Sequence, residues 1–232
     1  MAFVIDPPDA VSAPVTGSTA RFPVRRIYCV GRNYAEHAQE MGHSGREAPF
    51  FFLKPGDALL PVESGVTGAM SYPSLTQDLH HEVELVVAIG RGGRDIAAAQ
   101  ALEHVWGYAV GLDMTRRDLQ AEMKRSGRPW CIAKGFEACA PIGPITPAAA
   151  VPGVHGAPIA LDVNGVVRQL SHIDRMIWSV AEVIEHLSRA WTLAPGDLIY
   201  TGTPQGVAAV HPGDVIEARI EGLEPLRVRI VD

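Results

Sequence analysis

The chain has 232 residues, 47% of them hydrophobic, so it is long enough to bury a sizeable core in one domain. It carries 20 Lys and Arg against 26 Asp and Glu, a net charge of −6, and only 6% of its residues are aromatic. This composition lacks the basic surface and stacking platforms of nucleic-acid-binding proteins, and its charge is too low to predict disorder.

The cysteines and the apolar stretches indicate where the protein works. Cys29, Cys131 and Cys139 are an odd number without a C-x-x-C pair, which favours a reducing compartment over a disulfide framework or a zinc ribbon. The first residues lack the basic and continuous apolar regions of a secretory signal, and prolines interrupt the long uncharged stretch 138–161. We therefore expect a soluble, cytoplasmic protein with no membrane or nucleic-acid partner.

The chain begins with a segment rich in Pro, Ala and Ser, so residues 1–23 are predicted to form an N-terminal arm and 24–232 a single domain. Within the domain, short apolar runs followed by Gly, Asp or other polar residues predict buried strands. These runs are 27–31, 50–53, 82–89 and 105–112.

A short helix is predicted over 33–41, because Asn33 and Glu36 have capping-box spacing. His37 and Glu40 lie three residues apart on this helix and therefore share a face. A carboxylate that orients an imidazole makes a base able to activate water, although the same spacing also occurs in surface His–Glu pairs of little consequence.

Two carboxylates stand at the entrance to the strand that starts at Glu82. Because side chains alternate along a strand, His80, Glu82 and Glu84 point one way, and His81 faces the core side. The two carboxylates lie within about 7 Å and repel each other, so a positive group is needed. A hard divalent cation would supply it; the alternative is a solvated strand end paired with Lys or Arg.

Asp113 directly follows the strand 105–112. It could complete a site of three carboxylates, or simply form an Asx turn. The following helix is predicted to have Thr115 as its N-cap and to stop near Gly127. On it, Arg117 and Gln120 are one turn apart, a pattern that also fits a solvated helix face.

Lys134 lies in an apolar stretch rich in Gly and Pro, where a lysine either extends to solvent or holds an anion.

Residues 158–170 predict a hairpin that turns at Asn164-Gly165. An apolar stripe at helical spacing predicts that 174–190 is the longest helix. The Gly-rich loop 201–206 could offer backbone N–H groups to an anion. Short strands with few helices, outside regular βαβ alternation, predict a β-rich α+β fold.

Several motifs taken together resemble the fumarylacetoacetate hydrolase superfamily, in order from about Phe22 to the C-terminus. E-x-E followed some thirty residues later by G-x-D-M-T-x-R-D is specific, and the opening segment is most similar to bacterial fumarylpyruvate hydrolases. The motifs are YCVGRNYAEHAQEMG, FFLKPGDAL, HHEVELVVAIGRGGRDI, GYAVGLDMTRRDLQAEMKRSGRPW, AKGFEACAPIGP, LDVNGVVRQ and LAPGDLIYTGTPQGV.

The resemblance implies a mixed β-sandwich roll with short peripheral helices, a single catalytic domain of this type, and a homodimer. It implies that Glu82, Glu84 and Asp113 hold Mg²⁺ or Mn²⁺, and that His37 and Glu40 activate water. Lys134 is implied to be catalytic, by stabilising an oxyanion. The implied substrate contacts are Arg32, Lys54, Arg117, Gln120, Lys134 and Thr203. Three positions depart from the family pattern, and none removes an implied ligand: GVAAV after TGTPQ, Glu137, and His80-His81.

The activity implied is metal-dependent hydrolysis of the C3–C4 bond of a 2,4-dioxo acid, such as the dicarboxylic substrate fumarylpyruvate, giving fumarate and pyruvate in gentisate-type aromatic catabolism. The alternatives are a general acylpyruvate hydrolase, an oxaloacetate decarboxylase, or a decarboxylase-isomerase using the same metal site. A non-catalytic metal-binding or dimer-forming module is a rival of a different class.

Overall fold

The computed structural model describes residues 3–35 and 47–232. Within these ranges the chain forms eighteen strands and four short α-helices. The strands of the first half are β1 (Ser12–Val15), β2 (Ser18–Pro23), β3 (Ile27–Gly31), β4 (Phe50–Lys54), β5 (Leu59–Pro61), β6 (Thr67–Ser71), β7 (Leu79–His80), β8 (Val83–Ile89) and β9 (Val105–Leu112). Those of the second half are β10 (Thr115–Arg116), β11 (Ala140–Ile142), β12 (Thr146–Pro147), β13 (Pro158–Val163), β14 (Val166–His172), β15 (Leu198–Tyr200), β16 (Ala209–Val210), β17 (Val215–Ile220) and β18 (Leu226–Val231). The helices are α1 (Ala98–Ala101), α2 (Arg117–Ser126), α3 (Cys131–Lys134) and α4 (Val180–Ala190).

Two mixed sheets make up most of the fold. The larger has the order β4-β3-β15-β8-β9-β11-β5, with β12 also paired to β9, and the smaller has the order β14-β13-β17-β18-β6. A third sheet has the order β10-β7-β16. In the sequence, β7 ends two residues before Glu82, and β10 begins two residues after Asp113. Helices are few and short, so the predicted β-rich α+β class is confirmed.

The central strand β8 is buried on both faces. Val83, Leu85 and Val87 belong to the core cluster that contains the inner residues of the smaller sheet. Val86 and Ala88 belong to a second cluster on the other face of the large sheet. An apolar run without alternation is what burial on both faces requires, which explains why this segment is so apolar.

The first strands of the chain cover that second face. β1 and β2 pair as an antiparallel hairpin, in which Ala13 and Phe22 are buried. Both join the cluster formed by Ile27, Cys29 and Leu198. The division into an arm at 1–23 and a domain at 24–232 stays a prediction, but residues 12–23 pack as part of the folded unit.

The two longer helices begin later than predicted. Thr115 is not an N-cap: it pairs with His80 in the β10–β7 ladder, and α2 begins at Arg117. Gly127 ends α2 in the left-handed conformation, as predicted. The longest described helix does not start at Asp174, since a 3₁₀ turn covers Ile173–Arg175 and α4 begins at Val180.

The hairpin predicted over 158–170 is confirmed as β13 and β14. Its turn residues Asn164 and Gly165 have φ values of 52° and 77°, as a type I′ turn requires. Of the helix predicted over 33–41, residues 36–41 lie outside the described residues. Across the described ranges, no α-helix is both long enough and apolar enough to span a bilayer.

Candidate active site

Strands β8 and β9 bring the three predicted metal ligands together. The strands are antiparallel, with Val83 opposite Leu112, so the residues just outside this pair, Glu82 and Asp113, meet at one end of the ladder. The Asp113 N–H donates to the Glu82 carbonyl at 2.9 Å. One carboxylate oxygen from each of Glu82, Glu84 and Asp113 lies within 4.8 Å of the other two. Each of the three residues is at most 5% exposed.

Cationic side chains contact two of these carboxylates. Lys134 Nζ lies 2.8 Å from Glu82 Oε2 and 2.6 Å from Asp113 Oδ2, so its amine bridges the two acids. Arg117 pairs with the other Glu82 oxygen. Lys134 is itself buried, which excludes the interpretation that it extends to solvent.

Lys54 lies behind Asp113 rather than in the cavity. Its Nζ is 2.8 Å from Asp113 Oδ1 and donates to the carbonyls of Met114 and Lys134 at 3.1 and 2.6 Å. Burial lowers the pKa of Lys54, but the charge of Asp113 outweighs it and raises the pKa above the ordinary lysine value. Lys54 is thus held by one ion pair and two backbone carbonyls, so the geometry favours it as the counter-charge that holds Asp113 over a direct substrate contact.

Glu84 lacks such a counter-charge. It accepts a hydrogen bond from the Gly202 N–H at 2.8 Å, and no ion pair joins it to the rest of the described chain. Burial raises the pKa of Glu84 well above its usual range, and the charges of Asp113 and Glu82 add to this. A buried carboxylate beside two others is stabilised by a divalent cation. Because all donors are carboxylate oxygens, the residues fit a hard cation such as Mg²⁺ or Mn²⁺.

The two adjacent histidines differ in burial and in partners, since His81 is fully buried and His80 contacts Arg117 and Asp78. His80 Nδ1 accepts from Arg117 Nε at 3.3 Å, and its Nε2 lies 2.9 Å from Asp78 Oδ1. Burial and the Arg117 charge lower the pKa of His80. His80 therefore supports the arginine that pairs with Glu82 and contacts none of the carboxylate ligands directly.

Gln169, in strand β14, connects the acidic strand to the Gly-rich loop and was missed from sequence. Its Oε1 accepts from the Val83 N–H at 3.1 Å and faces His81 Nδ1 at 3.0 Å. Its Nε2 donates to Thr203 Oγ1 and to the Pro204 carbonyl, both at 2.8 Å. The backbone donor at Val83 determines the orientation of the amide, so Thr203 accepts from Gln169 and keeps its own O–H to donate elsewhere.

The remaining predicted contacts are Arg32, Gln120 and Thr203. Gln120 is buried and accepts from Arg117 at 2.5 Å. Arg32 has a φ of 59°, its guanidinium lies 5.2 Å from the Phe50 ring centroid, and its buried Nε has no hydrogen-bond partner in the described part of the chain. The predicted water-activating pair, His37 and Glu40, lies outside the described residues.

Two cavities lie at the site, and the carboxylates line the inner one. The inner cavity, about 30 Å³, has room for a water-sized group. It is lined by Glu82, Glu84, Asp113, Arg32, Arg117, Gln120, Lys134, Thr203, Val30, Gly31, Phe50, Phe52 and Trp130. The outer cavity, about 550 Å³, is lined by Arg32, Phe50, Phe51, Phe52, Leu53, Arg128, Pro129, Trp130, Cys131 and Lys134. The shared lining residues show that the two cavities adjoin.

At one end of a β-ladder in this strand-rich fold, three buried carboxylates beside a lysine and an arginine could hold a metal ion. The family described as "Fumarylacetoacetate (FAA) hydrolase C-terminal" matches residues 26–231. The chain belongs to this family, as its motifs predicted.

Solved and curated relatives are similar over almost the whole chain. The crystal structure of fumarylpyruvate hydrolase from Pseudomonas aeruginosa in complex with Mn²⁺ and pyruvate is 56% identical, with a TM-score of 0.97 and 99% of each chain covered. The rat protein named "Oxaloacetate tautomerase FAHD1, mitochondrial" is 43% identical over 89% of this chain and 91% of its own length. "Oxaloacetate decarboxylase, mitochondrial" from Dictyostelium discoideum is 42% identical over 86% and 90%.

Proposed function

We propose that the protein hydrolyses the C3–C4 bond of a 2,4-dioxo acid, with fumarylpyruvate as substrate and fumarate and pyruvate as products, in gentisate-type aromatic catabolism. The observation that carries the proposal is the cluster of Glu82, Glu84 and Asp113 beside Lys134 in one cavity. A solved relative with 56% identity is named for this activity and holds Mn²⁺ and pyruvate.

The cation in this proposal is Mg²⁺, with Mn²⁺ as an alternative, held by Glu82, Glu84 and Asp113. When bound, it would neutralise the C1 carboxylate of the substrate and polarise the C2 carbonyl. Thr203 donates its free O–H to a substrate oxygen, since Gln169 already occupies one of its lone pairs. Arg32 and Arg117 line the same cavity and add positive charge there.

The acid–base steps are assigned to His37 and Glu40, and this assignment stays a prediction. His37, oriented by Glu40, takes a proton from water, and the hydroxide formed attacks C4. Lys134 and Gln120, which line the inner cavity, stabilise the oxygen that becomes negative at C4. When the tetrahedral oxyanion at C4 collapses, the electron pair of the C3–C4 bond forms the C2–C3 double bond of the pyruvate enolate, and the π pair of the C2 carbonyl moves to its oxygen. The proton held by His37 goes to C3, giving pyruvate, and the other half leaves as fumarate.

The second candidate is action on oxaloacetate, as a decarboxylase or tautomerase. The names of the rat and Dictyostelium relatives favour it, since these proteins are 43% and 42% identical to this chain. The same cation site would serve it, because decarboxylation needs a polarised 2-oxo group but no activated water. A general acylpyruvate hydrolase and a decarboxylase-isomerase remain further variants of the proposal. We also propose that the protein works as a cytoplasmic homodimer.

The test is an activity panel with fumarylpyruvate, acetylpyruvate and oxaloacetate, each with Mg²⁺, with Mn²⁺ and with EDTA. Loss of enol absorbance and release of pyruvate are followed. We expect metal-dependent cleavage of fumarylpyruvate at a kcat/KM well above that for loss of oxaloacetate. Faster turnover of oxaloacetate supports the second candidate instead, and no metal-dependent loss of either dioxo acid rules out the hydrolase proposal.

A His37→Asn variant distinguishes the enzyme hypothesis from that of a non-catalytic metal-binding module. If His37 activates water, the variant folds, binds the metal and loses hydrolysis of fumarylpyruvate. Full activity in this variant contradicts the assigned role. A matched control is His172→Asn, an exposed histidine in β14 outside both cavities.

A further inference from the structure

The outer cavity has two arginines that form no ion pair in the described chain. Arg32 follows strand β3, and Arg128 lies in the segment between α2 and α3. The buried Nε of Arg32 is without a hydrogen-bond partner in residues 3–35 and 47–232. Two arginines that line one cavity and have no carboxylate partner among the described residues offer a site for an anion.

Other basic residues near the start of the domain do not serve this cavity. Arg25 and Arg26 both bind the buried Asp197, at 3.4 Å and 2.9 Å. Arg32 and Arg128 are therefore the arginines that line the outer cavity.

Aromatic rings form the rest of the wall. Trp130 contacts Phe50 and Phe52 edge-on, at ring-centroid distances of 5.3 and 5.9 Å. Arg32 lies over the Phe50 ring. An apolar wall of aromatic rings suits an unsaturated carbon chain, and the arginines suit a charged group at its end.

We propose that the outer cavity is the subsite for a second substrate carboxylate, bound by Arg32 and Arg128 at the end of a planar unsaturated acyl chain. The proposal rests on the proposed function, because it places the dioxo acid end of the same molecule beside the carboxylates, where the inner and outer cavities meet. Arg128 is then the specificity-determining residue: it distinguishes dicarboxylic acylpyruvates from those with a short uncharged acyl group. A carboxylate against apolar rings needs such a partner, since burying it alone is costly.

The test compares Arg128→Leu and Arg128→Gln with the wild-type protein on two substrates, fumarylpyruvate and acetylpyruvate. Acetylpyruvate has the same dioxo acid end and no second carboxylate. We expect KM for fumarylpyruvate to rise roughly 10- to 100-fold in both variants, the range for loss of a charge-assisted contact. The kcat/KM for acetylpyruvate should change less than about twofold. Arg128 is exposed, so both variants should fold.

Two controls make the comparison specific. Arg125→Leu removes an exposed arginine on α2 that lines neither cavity, and it should leave both substrates unaffected. Fumarate should inhibit acetylpyruvate cleavage by the wild-type protein more strongly than crotonate, which has the same planar chain without the second carboxylate. That difference should disappear in Arg128→Leu.

The outcomes separate this proposal from the one on which it rests. If the wild-type protein cleaves fumarylpyruvate and both Arg128 variants keep its KM, the subsite proposal is wrong and the hydrolase function stands. Equal losses on both substrates also overturn it, since they indicate a general structural effect. If the wild-type protein cleaves neither substrate, the proposed function fails and the subsite assignment fails with it.

Discussion

Glu84 differs from the other two carboxylates of the site in its surroundings. Glu82 and Asp113 contact lysine or arginine, whereas Glu84 accepts one backbone N–H bond and joins no ion pair among the described residues. Its charged form is therefore costly until a cation binds. This asymmetry makes Glu84 the residue whose replacement best reports on the cation.

A Glu84→Gln variant tests this assignment. We expect the metal-free variant to be at least as thermostable as the metal-free wild type, because the amide keeps the acceptor for Gly202 and removes a buried charge. Mg²⁺ or Mn²⁺ should raise the Tm of the wild type and have little effect on the variant. Glu103→Gln, at an exposed ion pair, is the control and should respond as the wild type does. An equal metal-induced shift in Glu84→Gln would exclude Glu84 as a ligand.

The importance of Gln169 leads to a second prediction. Gln169→Leu leaves the buried Val83 N–H and the Pro204 carbonyl without partners and frees the Thr203 hydroxyl from its donor. We expect a loss of about 2–5 kcal/mol of unfolding free energy, since each buried unpaired group costs about 1–3 kcal/mol. Urea unfolding measures it. The control is Gln100→Leu on the exposed side of α1, and similar losses in the two variants would contradict this view of Gln169.

Glu84 and Gln169 show what could and could not be predicted from the sequence. Alternation in a strand placed Glu82 and Glu84 on one side because their spacing is local. Gln169 bonds to residues 34 to 88 positions away, and no local pattern reports such contacts. The pattern in β14 even suggests the reverse, since this strand exposes Val166 and Leu170 and buries the polar Gln169.

The start of helix α4 shows that a local sequence pattern can also misplace the boundary of a whole element. The apolar stripe from Ile177 predicted a helix from Asp174, yet the residues before Ser179 form a 3₁₀ turn and extended chain. Ser179 and Glu182 form a capping box, with the Ser179 side chain accepting the Glu182 N–H and the Glu182 carboxylate accepting the Ser179 N–H. The S-x-x-E signal was present in the sequence, and it marks the boundary better than the stripe does.

A Ser179→Ala variant tests the capping box. We expect a loss of about 1 kcal/mol in unfolding free energy, because the first turn of α4 loses its side-chain acceptor. Chemical denaturation provides the measurement. Ser126→Ala, at the exposed end of α2, should change stability much less. If the two variants are equally stable, the capping box contributes nothing to the helix.

At the scale of the whole molecule, the strand positions were more predictable than their pairing. The apolar runs predicted both ends of β3, β4, β8 and β9 to within one residue. The sheet order was not predictable, because β15 pairs in parallel with β3 across some 170 residues. Long-range pairing of this kind places the acidic end of β8 between segments far apart in the chain, and the composition of β8 alone does not identify those neighbours.

The hairpin β1–β2 shows how the chain termini contribute to the whole fold. Its buried residues Ala13 and Phe22 cover the outer face of the large sheet, and Phe22 packs on Trp106 at a ring-centroid distance of 5.2 Å. The residues before it are exposed over 3–10. The two parts of the predicted arm should therefore contribute differently to stability.

Two truncations test this difference. Removal of residues 1–10 should leave the unfolding free energy nearly unchanged, whereas removal of 1–23 should lower it strongly. Loss of a buried phenylalanine side chain such as Phe22 alone costs about 3–5 kcal/mol, and the second truncation also exposes Ile27 and Leu198. Thermal and urea unfolding of both truncated proteins measure the effect. If the 1–23 truncation is as stable as the 1–10 truncation, the hairpin does not stabilise the domain, which then begins at residue 24.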